Sequence, residues 1–249
     1  MSNVTPDRVS LFVTCVVDQF YPEVGESTAA ILRKLGIDVE FIQSQTCCGQ
    51  PAFNTGYWKE ARPLALKFLD EYREKPYIVM PSGSCASMVK VFYEELFQND
   101  AETLRRVHDI GPKVYELSEF LADVIGINNL PASNKIRRKV TYHEACHLRR
   151  ELGAVTQARS LINAVPGMDV VEMEQAEVCC GFGGTFAVKY PEISGAMLQD
   201  KIDNIRDSEA DTVVACDSTC LMHIAGGLEK QNVPVESVHL AQLLDEAIE

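Results

Sequence analysis

Nine cysteines are spread along this 249-residue chain, and their arrangement makes them its best candidates for chemistry. The stretch "TCCGQPAFN" carries Cys47 and Cys48, and "EVCCGFGGTF" carries Cys179 and Cys180. Neighbouring side chains on an extended segment point to opposite faces. Each pair therefore serves one centre only if the backbone turns sharply, and Gly49 and Gly181 are the residues that permit the turn. A vicinal disulfide is the alternative, with a demanding bond geometry.

The same spacing occurs twice. In the first half 31 residues separate Cys15 from Cys47, and 36 separate Cys48 from Cys85. In the second half 32 residues separate Cys146 from Cys179, and 39 separate Cys180 from Cys220. Only Cys216 stands outside the pattern, with Pro81 as its counterpart. Four thiolates in one place suit zinc or an iron–sulfur cluster. Structural zinc usually shows short C-x-x-C knuckles, and this sequence has none. A cluster offers several iron atoms, so adjacent sulfurs can reach different ones, and Cys thiolates are its usual ligands. The candidate metal ligands are thus Cys15, Cys47, Cys48, Cys85, Cys146, Cys179, Cys180 and Cys220, with Cys216 either a ninth or a buried small apolar residue. Helix starts expected after each CCG would turn N–H groups toward an anionic cluster. Gly49, Gly181, Gly183 and Gly184 would let the backbone approach it. In "YHEACH", His143 and His147 flank Cys146; each is a proton-coupled or hydrogen-bonding partner of the cluster, or a histidine satisfying a loop carbonyl. His147 joins the candidate cofactor-binding residues.

The elements that must position these thiols alternate. "VSLFVT", "DVEFIQ", "YIVMP", "KVTYH", "MDVVEM" and "TVVAC" read as strands, rich in β-branched and aromatic residues. Between them "STAAILRKLG", with Ser27 or Thr28 as N-cap and Gly36 at its end, "YWKEARPLALKFLDEYREK", "AVTQARSLINAV" and "PEISGAMLQDKIDNIRDSEA" read as helices. Each half closes with an apolar stretch and a helix-like tail, "VYELSEFLADVIG" and "VESVHLAQLLDEAI". The expected fold class is α/β: two pseudo-repeated halves, each a small parallel sheet flanked by helices. The cysteine loops lie at the carboxyl ends of the strands, where open α/β sheets bind ligands. The halves are residues 1–128 and 140–249, joined by a linker over 129–139 that holds the basic run "KIRRK". Tyr57 and Trp58 are expected to pack their helix onto the sheet, and Asp217 to act as a turn or cap residue.

Composition sets the remaining limits. A formal net charge of −13 argues against nucleic acid and anionic membranes as partners. There is no transmembrane segment by apolar run length and no secretory leader pattern. Many thiols without an export signal suit a reducing, cytoplasmic setting. No G-x-G-x-x-G links a strand to a helix and no Walker loop is present, so a flavin or nicotinamide site is not evident.

"LFVTC", "TCCGQPAFNTGY", "PSGSC", "CCGFGGTFAVKYPEISGAML" and "DSTCLMHIAG" resemble the cysteine-rich, or CCG, domain iron–sulfur family. Its members include the B subunit of heterodisulfide reductase, the iron–sulfur subunit of glycolate oxidase and proteins of lactate utilisation. The resemblance covers essentially the whole chain and is greatest to the lactate-utilisation members. It implies an iron–sulfur protein, one possible cluster of the 4Fe-4S type per half, working with sister subunits that include a ferredoxin-type protein in oxidising L-lactate to pyruvate. It implies a non-catalytic or co-catalytic subunit of an oxidoreductase. A catalytic disulfide or heterodisulfide reductase subunit, an iron–sulfur subunit for another 2-hydroxy acid such as glycolate, and a zinc-stabilised scaffold are the alternatives. The heterodisulfide reductase relatives end each full motif in C-x-x-C. Here the first half has Cys85 alone, and Cys216 and Cys220 are separated by three residues, so cluster type stays open.

Overall fold

The computed structural model describes residues 6–127 and 137–248. The first half runs β1 (Arg8–Leu11), α1 (Cys15–Phe20), α2 (Pro22–Lys34), β2 (Asp38–Phe41), α3 (Gln50–Asn54), α4 (Trp58–Glu71), β3 (Ile78–Met80) and α5 (Gly83–Ser87). A wider turn over Met88–Phe92 carries α5 into α6 (Tyr93–Leu96), and α7 (Ala101–Ile110), β4 (Val114–Glu116) and α8 (Leu117–Glu119) complete it. The second half runs β5 (Arg138–Tyr142), α9 (Cys146–Arg150), α10 (Gln157–Asn163), β6 (Met168–Val170), α11 (Phe186–Lys189), α12 (Pro191–Asp207), β7 (Thr212–Ala215), α13 (Ser218–Lys230), β8 (Glu236–His239) and α14 (Leu240–Ala247).

Each half forms a four-stranded parallel sheet, in the order β2-β1-β3-β4 and β6-β5-β7-β8. The orders are the same, and so is the register: Leu11 pairs with Val79, and Tyr142 with Val214. Order reverses between β1 and β3, and between β5 and β7, which opens a crevice at the carboxyl ends of those strands. Cys15 and Cys146 begin the helices after β1 and β5; Cys85 and Cys220 lie in the first turn of those after β3 and β7.

One apolar cluster spans both halves, and a second lies within the first half. Val9, Ile31 and Leu32 of the first half pack in the same cluster as Val140, Leu161 and Leu244 of the second. Helix α2 lies against α14, and α10 against α8, so each half is finished by a helix of the other. The pseudo-twofold relation passes between Ser82 and Asp217, equivalent residues that form an antiparallel bridge. Asp217 is 2% exposed. Its Oδ1 accepts the Thr219 N–H at 3.2 Å, capping α13, while Oδ2 accepts the Ser82 hydroxyl at 3.1 Å and the Ser84 N–H at 3.0 Å. One carboxylate thus ties the first turns of two cysteine-bearing helices together, as well as filling the cap role expected of it.

Several sequence readings shift. Helix α2 starts at Pro22, not beside Ser27 or Thr28; proline suits the first helical position, whose N–H needs no partner. Thr28 lies inside the helix and donates its hydroxyl to the Val24 carbonyl at 2.7 Å. The two closing segments each contribute a fourth strand, β4 and β8, before their helix. Arg138 and Lys139, read as the end of the linker, are the first residues of β5; the rest of that linker lies outside the described residues, apart from Arg137. After the second CCG the chain makes turns before α11, so only the first CCG leads straight into a helix. Trp58 stacks on Phe53 with centroids 5.3 Å apart, whereas Tyr57 is exposed beneath the Lys189 ammonium of the other half.

Candidate metal centres

The turn expected at each cysteine pair is present. Gly49 and Gly181 have φ of 90° and 88°, a left-handed conformation that side chains disfavour. Their N–H groups lie 3.4 Å from Cys47 Sγ and Cys179 Sγ respectively. The first loop is braced from below, where the Tyr93 hydroxyl donates to the Cys48 carbonyl at 2.9 Å. Gln45 donates to the Val13 carbonyl at 2.8 Å and accepts from the Tyr72 hydroxyl at 2.9 Å. These bonds hold the segments around Cys15 and Cys47–Cys48 in one register.

Four thiols then meet in each half. Cys15 Sγ lies 3.5 Å from Cys47 Sγ, and Cys48 Sγ lies 3.2 Å from Cys85 Sγ. In the second half Cys146 contacts Cys179, Cys179 contacts Cys180, and Cys180 contacts Cys220. None of the nine cysteines is in a disulfide. In each quartet one sulfur is favoured as the thiolate. S–H donation from Cys15, then Cys48, pulls Cys47 down to about 3, and donation from Cys146, then Cys180, pulls Cys179 down to about 2. The donors Cys15 and Cys146 move upward, through that same bond and then burial. Four free thiols in each half, two of them buried and one favoured as the thiolate, are a donor set that fits a thiolate-ligated iron–sulfur centre.

The other candidates are placed as follows. Cys216 is fully buried in the core, its sulfur 3.4 Å from the Tyr142 hydroxyl, and it is not drawn into the second quartet. His147 lies beside Cys146 on the cleft wall, with Nδ1 3.2 Å from Glu151 and its ring edge-on to Phe92. Gly183 and Gly184 also have positive φ and line the cleft beside the second quartet. That cleft, of about 300 Å³, is also lined by Gln50, Pro51 and Ser84 of the first half. Six of its residues, Val16, Gln50, Pro51, Ser84, Asp217 and Thr219, also line the smaller recess at the first quartet. Both quartets therefore open onto the seam between the halves.

Two residues at the second quartet were missed or underweighted in the sequence. His143 is fully buried, and a ring nitrogen lies within 4.8 Å of both Cys180 Sγ and Cys220 Sγ. Burial, then the Lys201 charge, holds it neutral by lowering its pKa to about 3. Lys201, 1% exposed, donates to the Gln175 carbonyl at 2.7 Å and the Ala176 carbonyl at 3.2 Å.

A duplicated parallel α/β unit with a thiol quartet at each switch point defines a class of cysteine-rich α/β proteins. The chain belongs to the cysteine-rich domain family, CCG, whose model matches residues 9–90 and 140–225. It is similar to Lactate utilization protein A 2 of Bacillus cereus strain Q1, 41% identical over 237 residues, or 95% of this chain and 97% of that protein. It is likewise similar to Lactate utilization protein A of Macrococcus caseolyticus, 43% identical over 242 residues, or 97% and 98% of the two chains. Among solved structures a hypothetical protein from Helicobacter pylori superposes with a TM-score of 0.64 at 12% identity, over 97% of this chain. This chain spans 49% of that one, and the likeness is one of fold.

Proposed function

We propose that this protein is the iron–sulfur, electron-transferring subunit of a multi-subunit cytoplasmic system that oxidises L-lactate to pyruvate. The observation that carries the reading is the pair of thiol quartets at equivalent strand ends. Lactate enters through the names of the curated relatives. No helix among the described residues is long and apolar enough to cross a membrane.

Cys15, Cys47, Cys48 and Cys85 would hold one 4Fe-4S-type centre, and Cys146, Cys179, Cys180 and Cys220 the other. When bound, such a centre supplies one-electron exchange at a potential set by burial and by hydrogen bonds to sulfur. The chain's own residues set those conditions. The Gly49 and Gly181 N–H groups stabilise negative charge on Cys47 and Cys179. Burial of Cys48, Cys85, Cys180 and Cys220 excludes water from the inner side of each quartet. The more exposed Cys15, Cys47, Cys146 and Cys179 face the side from which electrons would enter or leave. The hydroxy-acid step itself belongs to a sister subunit, since this sequence carries no evident flavin or nicotinamide fingerprint. A ferredoxin-type sister is the expected electron partner.

Anaerobic purification with iron and sulfide analysis tests the metal assignment. Iron and sulfide should be present with EPR signals on reduction, and Cys179→Ser should remove about half of the iron. A colourless preparation holding zinc without iron or sulfide refutes the assignment. Copurified partners assayed for dye reduction with L-lactate and with glycolate test the substrate; activity with glycolate alone would reassign it.

A further inference from the structure

The shared strand order and register of the two halves allow what lies beneath each quartet to be compared. Phe12 N–H donates to the Val79 carbonyl at 2.9 Å, and His143 N–H to the Val214 carbonyl at 2.8 Å, which makes Phe12 and His143 equivalent. A methyl group at Gly49 would meet Ala61 O and Leu64 Cβ, and one at Gly181 would meet Ser194 O and Met197 Cβ. Matching those contacts along α4 and α12 sets Phe68 opposite Lys201. In the first half Phe12 and Phe68 pack edge to face at 5.3 Å. In the second half the same two places hold an imidazole and an ammonium, both buried.

Replacing a buried apolar pair by polar groups is costly unless each finds partners. Lys201 does, in the carbonyls of Gln175 and Ala176. His143 does not: neither ring nitrogen has a hydrogen-bond partner among the described residues. The Ala176 carbonyl, which faces the ring, already accepts the Glu144 N–H at 3.1 Å and the Lys201 ammonium, so its two lone pairs are taken. Buried polar side chains are nearly always bonded, and what remains beside this one is sulfur. Its ring nitrogen and the sulfurs of Cys180 and Cys220 lie within 4.8 Å of one another. One metal atom, with bonds of about 2.3 Å to sulfur and about 2.1 Å to nitrogen, joins such a set after shifts of about an ångström.

We propose that His143 is a fifth ligand of the second-half centre, making that centre mixed sulfur and nitrogen where the first is sulfur alone. The inference rests on the iron–sulfur reading of the quartets. A neutral imidazole adds no negative charge, and the Lys201 ammonium lies near Cys179, Cys180 and Cys220. The ammonium favours an added electron there, and the imidazole brings no charge to oppose it. The second centre is therefore reduced first, and the chain is a directional relay.

The test uses the full chain, purified anaerobically from cells fed 15N-histidine and reduced in steps. Pulsed EPR of the wild type should show one strongly coupled 15N on the signal that develops at the higher potential, and none on the other. The coupling should survive His147→Asn and vanish in His143→Phe, which also shifts one midpoint and leaves the other in place. The wild-type spectrum is independent of whether the variant folds. Full iron and sulfide without a strongly coupled 15N, or a coupling that persists in His143→Phe, overturns the ligand and leaves the iron–sulfur reading standing. A chain without iron overturns both.

Discussion

Substituting Gly181 by alanine isolates how much the second cysteine pair depends on its turn. The residue has φ of 88°, and placing an alanine there costs about 1–2 kcal/mol. An added Cβ would also lie 2.7 Å from the Ser194 carbonyl oxygen and 2.9 Å from Met197 Cβ. The first of these is backbone and cannot rotate away, so α12 has to move, and overpacking of this kind costs about 1–3 kcal/mol more. The expected total is about 2–5 kcal/mol. Two glycines supply the scale. Gly36 has φ of 80° with nothing within 4 Å, so its alanine variant pays the conformational term alone. Gly49 has φ of 90° and a nearest contact of 3.3 Å, which a slight adjustment relieves. Urea unfolding of the metal-free chains, compared through midpoints at a common slope, should rank the losses Gly181→Ala above Gly49→Ala above Gly36→Ala. Iron per chain after anaerobic reconstitution should fall most in Gly181→Ala. A Gly181→Ala variant no less stable than Gly36→Ala would refute the close approach of α12 to this turn.

Other outcomes are as specific. Cys216→Ala should keep full iron content and lose about 1–3 kcal/mol of stability through a small cavity and an unpaired Tyr142 hydroxyl, checked by iron analysis and urea unfolding. Asp217→Ala removes the acceptor for Ser82, Ser84 and Thr219 at once and should cost about 2–4 kcal/mol, measured the same way. Glu116 is buried, and that burial raises its pKa to about 8. The folded state therefore binds more protons than the unfolded state between the ordinary carboxylate range and about pH 8, so stability from this group falls as pH rises through that window. The slope reaches at most about 1.4 kcal/mol per pH unit. Glu116→Gln should flatten it, and identical slopes in the two proteins would show that Glu116 ionises freely.

Much of the site was legible because cysteine spacing is a strong signal. The two sets of intervals pointed to equivalent loops, and the matching sheet orders explain why they agree. Alternating strand and helix patterns predicted the parallel sheets, since the short apolar runs of β3 and β7 lie between helices and β1 and β5 are each followed by one. Less was visible where packing overrides local pattern. The start of α2 was misplaced because Ser27 and Thr28 are good caps in isolation, while Pro22 sets the actual end. His143 and His147 were indistinguishable in "YHEACH"; only the strand pairing shows that the first is inside and the second on the cleft wall. Comparison within the repeat could have singled it out, since an imidazole stands where the first half has Phe12. Lys201 gave no comparable signal, because α12 carries several charges and its burial comes from the neighbouring loop.

The exchange of covering helices has a consequence for taking the protein apart. Severing the chain near the join would leave each fragment with a bare apolar flank, the first lacking α14 over α2 and the second lacking α8 beside α10. Fragments made separately should aggregate or pair with a second copy of themselves, whereas fragments made together should reassemble into one particle with both quartets facing the shared seam.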